Sequence, residues 1–168
     1  GPALKDRRAV GWKVLTGNLA RRFRLCGRFL RVTCSTRPRL RGGPAGFLKV
    51  LDDRTLGYAD FRGNLQYISV GNLAANDKAA LFLMDYPNQA RLKILARVEV
   101  KDAVDAPWLI EQLTVPDYKA KIERAMILHV EAFDWNCPQH ITPRFTMDEI
   151  RSITLPLREH VEKLEKEV

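Results

Sequence analysis

An antiparallel β-barrel with peripheral helices is the fold class that the sequence predicts, and three observations predict it. From Gly46 onward, short runs rich in Val, Ile, Leu, Phe and Tyr alternate with turn formers, about six strand-like runs in all. Little helical periodicity lies between them, so successive strands are expected to pair with each other rather than through crossover helices. One run, residues 91–100, sets Leu92, Ile94, Val98 and Val100 against Arg91, Lys93, Arg97 and Glu99. That is the two-residue period of a half-buried strand, with a basic polar face.

Residues 46–51 read as a strand, Asp52, Asp53 and Arg54 as a turn, and 55–61 as the returning strand of a hairpin. Arg62, Gly63 and Asn64 make the next turn, residues 66–70 continue as an extended run, and a short helix is expected at 72–76. Residues 79–84 are apolar enough for a buried strand. Segments 107–113 and 117–124 read as short helices, and 125–133 as a last long strand leading into the loop at Trp135. Thr146 and Glu149 then have capping-box spacing. Pro156 is expected to start a second helix, in which Leu157, Val161, Leu164 and Val168 form a narrow apolar seam suited to a short coiled coil or a helix laid on a partner.

The chain has 168 residues, 46% of them hydrophobic, which is enough to build the core of one domain. No run approaches the roughly 20 apolar residues of a membrane helix, and the start lacks the pattern of a secretory signal, so a cytoplasmic location is expected. Cys26, Cys34 and Cys137 are odd in number and lack CxxC spacing; free thiols are expected rather than a disulfide framework or a metal site. The net charge of +8 is unevenly distributed. Residues 1–44 carry twelve Lys or Arg against Asp6 alone, +11, and the remainder carries 16 bases against 19 acids, −3. Two readings of this quarter compete: a basic arm for nucleic acid, or a scaffold segment with short strands at 23–26 and 29–34 whose arginines face solvent. The organisation expected is an Arg-rich segment at 1–40, a barrel at 41–145 and a helical tail at 146–168.

Chemistry concentrates at residues 132–141, where Trp135, Asn136, Cys137, Gln139 and His140 put an indole, two amides, a thiol and an imidazole into six positions. A flat aromatic beside edge-bonding groups suits a planar ligand. His140 is the acid–base candidate, and His129, alternating with aliphatics, reads as an interior or interface histidine. Cys137 reads as a packing thiol beside Pro138. Ser69 has no Asp/His partner at motif spacing, which argues against nucleophilic catalysis. No GxGxxG or GxxxxGK[ST] loop exists to cradle a phosphate at a helix terminus. Side chains would have to do so, from Lys49, Arg91 and Lys93 on strands and from the Arg62–Asn64 turn with Gln66. Each also has a plainer reading: solvated or edge-strand charges for the three cations, and a core anchor for Trp135.

Ordered blocks carry a family resemblance. They are 41–52, beginning Arg41-Gly42-Gly43-Pro44; 59–69, beginning Ala59-Asp60-Phe61-Arg62-Gly63-Asn64; Gly71-Asn72-Leu73; Leu83-Met84-Asp85-Tyr86; and 134–141. Over about residues 41–145 the chain resembles the FMN-binding split-barrel family related to pyridoxamine 5'-phosphate oxidase. The resemblance implies a split β-barrel homodimer with one FMN in each of two clefts between subunits. It implies flavin contacts from Lys49, Ala59, Asp60, Asn64, Gln66, Ser69, Arg91 and Lys93, and from Trp135 and Arg144 of the partner subunit. It further implies an oxidoreductase passing hydride or electrons between a reduced carrier, such as a reduced nicotinamide, and a small organic substrate. No Arg-Leu-His-Asp-Arg-like motif follows the last strand, which disfavours oxidation of the vitamer itself. Ile94-Leu95-Ala96-Arg97 stands where relatives often have a glycine, which narrows the space near the ring. A non-catalytic flavin-storage or sensing module is the alternative, followed by a nucleic-acid-binding protein using the first 44 residues.

Overall fold

The computed structural model of the chain describes residues 30–33, 39–135 and 138–167. Seven strands form one antiparallel sheet: β1 (Leu30–Thr33), β2 (Arg39–Arg41), β3 (Lys49–Val50), β4 (Thr55–Phe61), β5 (Lys78–Asp85), β6 (Ala90–Asp102) and β7 (Ile122–Trp135). Among the described residues three α-helices accompany them: α1 (Ile68–Ala75), α2 (Pro107–Leu113) and α3 (Met147–Glu167). The order across the sheet is β2-β1-β5-β6-β7-β4-β3. β4 and β5, three places apart in that order, both feed the main core, so the sheet curls round it while its edges, β2 and β3, remain unjoined.

Period-two patterning decides which side of each strand enters that core. Leu92, Ile94, Ala96 and Val98 from β6, Leu81 and Leu83 from β5, Met126, Leu128 and Val130 from β7, and Leu56 and Tyr58 from β4 are all buried in one cluster with Leu73 of α1. The opposite face of β4 and β7 buries Ala59, Ala125 and Ile127 beneath Leu109 and Leu113 of α2. Gly57 permits that approach: a Cβ there would lie 2.9 Å from side-chain carbons of both Leu113 and Leu51. The opposite face of β5 and β6 is less covered. Phe82, Met84, Arg91 and Lys93 are half-buried, and Leu95 is 46% exposed.

The hairpin of residues 46–61, the helix at 107–113 and the capping box are as expected. Thr146 Oγ1 accepts from Glu149 N at 3.2 Å, and Glu149 Oε2 accepts from Thr146 N at 2.7 Å. The strand expected at 46–51 is shorter, because Gly46 at φ 80° and the Phe47 N to Pro44 O bond of 3.1 Å turn the chain before Lys49. The buried strand expected at 79–84 buries only one face. Residues 66–70 are not a continuing extended run: Leu65 (φ 60°) and Tyr67 (φ 46°) reverse the chain, and α1 begins at Ile68. Residues 117–124 are not a helix. Asp117 (φ 64°) follows Pro116 in a turn closed by Tyr118 N to Val115 O at 3.3 Å, after which β7 begins. The tail is one helix that runs through Pro156 rather than restarting there.

The strand expected at 29–34 forms β1 and joins the barrel sheet through β5, so sheet structure begins upstream of residue 41. The strand expected at 23–26 lies outside the described residues, as do Cys26, Cys34, Asn136, Cys137 and Val168. Among the described residues no helix is long and apolar enough to cross a membrane.

Candidate functional site

A cleft opens where β4 and β7 lose register. Asp60 faces Arg124, but Phe61 faces Ile122, so Glu123 is the extra residue of a bulge. Bulges bend a strand and re-aim its side chains, and they recur beside active sites. Here the bulge brings Glu123 beside Arg124 at the mouth of a space lined by Asp60, Phe61, Asn64, Gln66, Tyr67 and Ser69, among others.

Charges in this cleft are matched in pairs. Arg124 Nε lies 3.3 Å from Asp60 Oδ2, and its Nη2 lies 3.1 Å from Glu123 Oε2. Arg62 Nε is 3.6 Å from Glu123 Oε1, which also accepts from Tyr67 Oη at 3.2 Å. The Arg124 guanidinium sits over the Tyr67 ring, 4.6 Å from its centroid. Asp60 is only 6% exposed, so its ion pair keeps a carboxylate charged where an unpaired one would be costly. The left-handed backbone at Tyr67 is strain for a bulky residue, and it turns a half-open aromatic face into the cleft just ahead of α1. Asn64 Oδ1 accepts from Gln66 N at 3.3 Å and shapes the loop between them.

Four of the residues expected to contact flavin, Asp60, Asn64, Gln66 and Ser69, thus converge on one cleft. The others lie elsewhere in the chain. Ala59 is buried under α2 and does not line the cleft. Lys49 Nζ donates to Thr114 O at 3.2 Å, at the C-terminal end of α2, where a cation complements the helix carbonyls. Arg91 and Lys93 stand half-buried on the less covered face of β6, opposite Met84 and Phe82 of β5. Trp135 faces Leu92 across the ladder and packs against the main core, the position of a core anchor. His140 and Arg144 belong to the segment after β7. That segment is tied to the β5–β6 turn by Gln89 Nε2 to Ile141 O at 2.7 Å and by Arg144 over the Tyr86 ring at 5.3 Å. His129 is not interior: it is exposed, with Nε2 3.2 Å from Glu99 Oε2, and the His129 hydrogen bond holds the Glu99 carboxyl below its ordinary range.

Arg124, Glu123 and Tyr67 were missed by sequence reasoning. Pro116-Asp117 was the signal for Arg124 and Glu123, since a turn there makes 122–135 one long strand and puts Arg124 opposite Asp60. Tyr67 lies within the 59–69 block that carries the family resemblance, but that block does not single it out.

No protein-family model matches the chain, and no curated protein matches it. Solved structures do. A Clostridium acetobutylicum protein related to general stress protein 26 of B. subtilis, of the pyridoxine phosphate oxidase family, superposes with a TM-score of 0.50 at 16% identity, over 83% of this chain and 97% of that one. This chain has the split-barrel fold. Other matches include an FMN-binding protein from Syntrophomonas wolfei (TM-score 0.46, 14% identity, 80% and 97% covered) and HupZ of Group A Streptococcus (TM-score 0.48, 16% identity, 82% and 98% covered).

Proposed function

We propose that this split barrel binds FMN as a homodimer and works as a flavin-dependent oxidoreductase on a small organic substrate. The observation that carries the reading is the convergence of Asp60, Asn64, Gln66 and Ser69 on a single cleft in a chain with this fold. The lining fits the cofactor chemically. Two amides and a hydroxyl supply donors and acceptors for the edge of a heteroaromatic ring, and Arg124 supplies a cation held rigid by two carboxylates.

The size of the cleft supports a second subunit. One protomer offers about 200 Å³, below the roughly 300–1,000 Å³ of a cofactor pocket. The less covered face of β5 and β6, with Phe82, Met84 and Leu95 beside Arg91 and Lys93, is an apolar and basic surface that a second copy would bury. In this arrangement Arg91 and Lys93 hold the phosphate, and the segment of His140 and Arg144 closes over the ligand from the partner. Bound FMN supplies hydride and electron transfer, while the chain binds, orients and shields it.

Titrating the purified protein into FMN tests this. The expected result is saturable quenching of flavin fluorescence at one FMN per protomer, co-elution of flavin absorbance with a dimer, and bleaching by NADH or NADPH. Binding without bleaching by either donor identifies a non-catalytic flavin-binding module instead; no quenching at any protein concentration removes the reading.

A further inference from the structure

Helix α3 carries more apolar surface than its own chain covers. Met147, Ile150, Leu157, Val161 and Leu164 are between 42% and 65% exposed, and neither core cluster includes a residue of this helix. Its composition suits a helix standing alone poorly: Ile150, Ile153, Thr154 and Val161 are β-branched, and Pro156 lies near its middle. A helix of 21 residues with such a composition depends on a packed face for its stability.

The spacing of that face points to what packs on it. Met147, Thr154 and Val161 recur every seven residues, and Ile150, Leu157 and Leu164 each follow three residues later, the a and d positions of three heptads. Thr154 is the polar member, and its Oγ1 donates to Ile150 O at 2.9 Å, so the hydroxyl is satisfied within its own helix and needs no partner across the seam. Pro156 falls at a c position, on the outer surface, and leaves the seam unbroken. Ile153 flanks the seam, and of the exposed apolar side chains of α3 only Leu155 falls outside it.

β-Branched residues at a with leucine at d favour two parallel strands, and charge agrees with that direction. In a parallel pair in register, the flanking contacts run from Ile153 to Arg158 and from His160 to Glu165 of the other helix, with no like-charge pair. An antiparallel pair that still matches the seam, Met147 on Leu164 and Ile150 on Val161, sets Arg151 beside Arg158 twice. We infer that α3 pairs with α3 of a second copy as a parallel two-stranded coiled coil running along the two-fold axis of the dimer. The pairing rests on the homodimer of the flavin reading and needs no bound flavin. Three heptads hold two chains only weakly by themselves, so the pair adds to the contact through β5 and β6 rather than replacing it.

Two measurements on the full chain test the pairing. Leu164→Cys, with Cys26, Cys34 and Cys137 replaced by serine, is expected to form a disulfide-linked dimer on mild oxidation. Only the parallel register puts residue 164 opposite itself; in the antiparallel one it faces Met147. Glu159→Cys in the same background, on the outer surface of the helix, is expected to stay unlinked. Leu157→Glu/Leu164→Glu, at positions that the single chain already exposes, should keep the melting curve of the barrel. The same double variant should weaken dimerisation about tenfold or more in sedimentation and bring amide exchange over 147–167 close to the unprotected rate. Equal cross-linking of the two cysteine variants, no cross-link from Leu164→Cys, or unchanged sedimentation of the double variant overturns the inference. Wild type that sediments as a monomer overturns it together with the homodimer. A dimer that binds FMN but gives no Leu164→Cys cross-link leaves the flavin reading standing and removes the helix pair alone.

Discussion

Arg124 makes two ion pairs and a ring contact from a side chain only 15% exposed, so its removal leaves Asp60 buried without this cation. Arg124→Ala should therefore cost about 3–5 kcal/mol in urea unfolding, far beyond the cost of losing a surface arginine. Arg124→Lys should recover only part of that, because a lysine has neither the fork for two carboxylates nor the flat face for Tyr67. The cations expected to hold flavin carry a separate prediction. Lys49→Ala and Arg91→Ala should each weaken FMN binding by roughly 1.5–3 kcal/mol, measured by fluorescence titration. Lys49 also bonds the Thr114 carbonyl, so a thermal melt of the same variant separates lost stability from lost affinity; unchanged affinity in both variants would remove these two residues from the site.

At the scale of elements, α3 is the informative case. Its capping box was readable as Thr146 followed by Glu149, and the structure makes both reciprocal bonds. Thr146→Ala should cost about 0.5–2 kcal/mol of helix stability. Pro156 was read as a start because proline suits a first turn, yet it lies within the helix, where it withholds one N–H and crowds the preceding turn. Pro156→Ala should stabilise α3 locally by up to about 3 kcal/mol. Amide hydrogen exchange over 147–167 reads both changes, and slower exchange in Thr146→Ala would contradict the cap. The misread helix at 117–124 has the converse lesson. The Pro116-Asp117 turn ends any helix there, and the ladders to β4 and β6 make residues 122–124 the start of β7.

For the whole molecule, pairing with a second copy is expected through the less covered face of β5 and β6. A protomer whose cleft is smaller than a cofactor pocket and whose sheet leaves Leu95 46% exposed beside Phe82 and Met84 is expected to pair. Sedimentation should give twice the 19.2 kDa chain mass. Leu95→Glu, placed where the monomer already meets water, should yield a folded monomer that no longer retains FMN. A dimer that persists in this variant would move the interface to another surface.

The strand at residues 91–100, its core face and the capping box were determined by the sequence alone, because they depend on a period of two and on residues within a few positions of one another. Leu92, Ile94 and Val98 announce their burial whatever they pack against. Tertiary structure alone decided that Asp60, Glu123 and Arg124 meet, since a bulge between strands some sixty residues apart sets that register. It also decided that Trp135 rests on the core and that His129 lies outside it. A residue's side of a sheet follows from its neighbours in the chain, but its company follows from which strand lies opposite and by how much the ladder slips, and no short stretch of sequence holds that information.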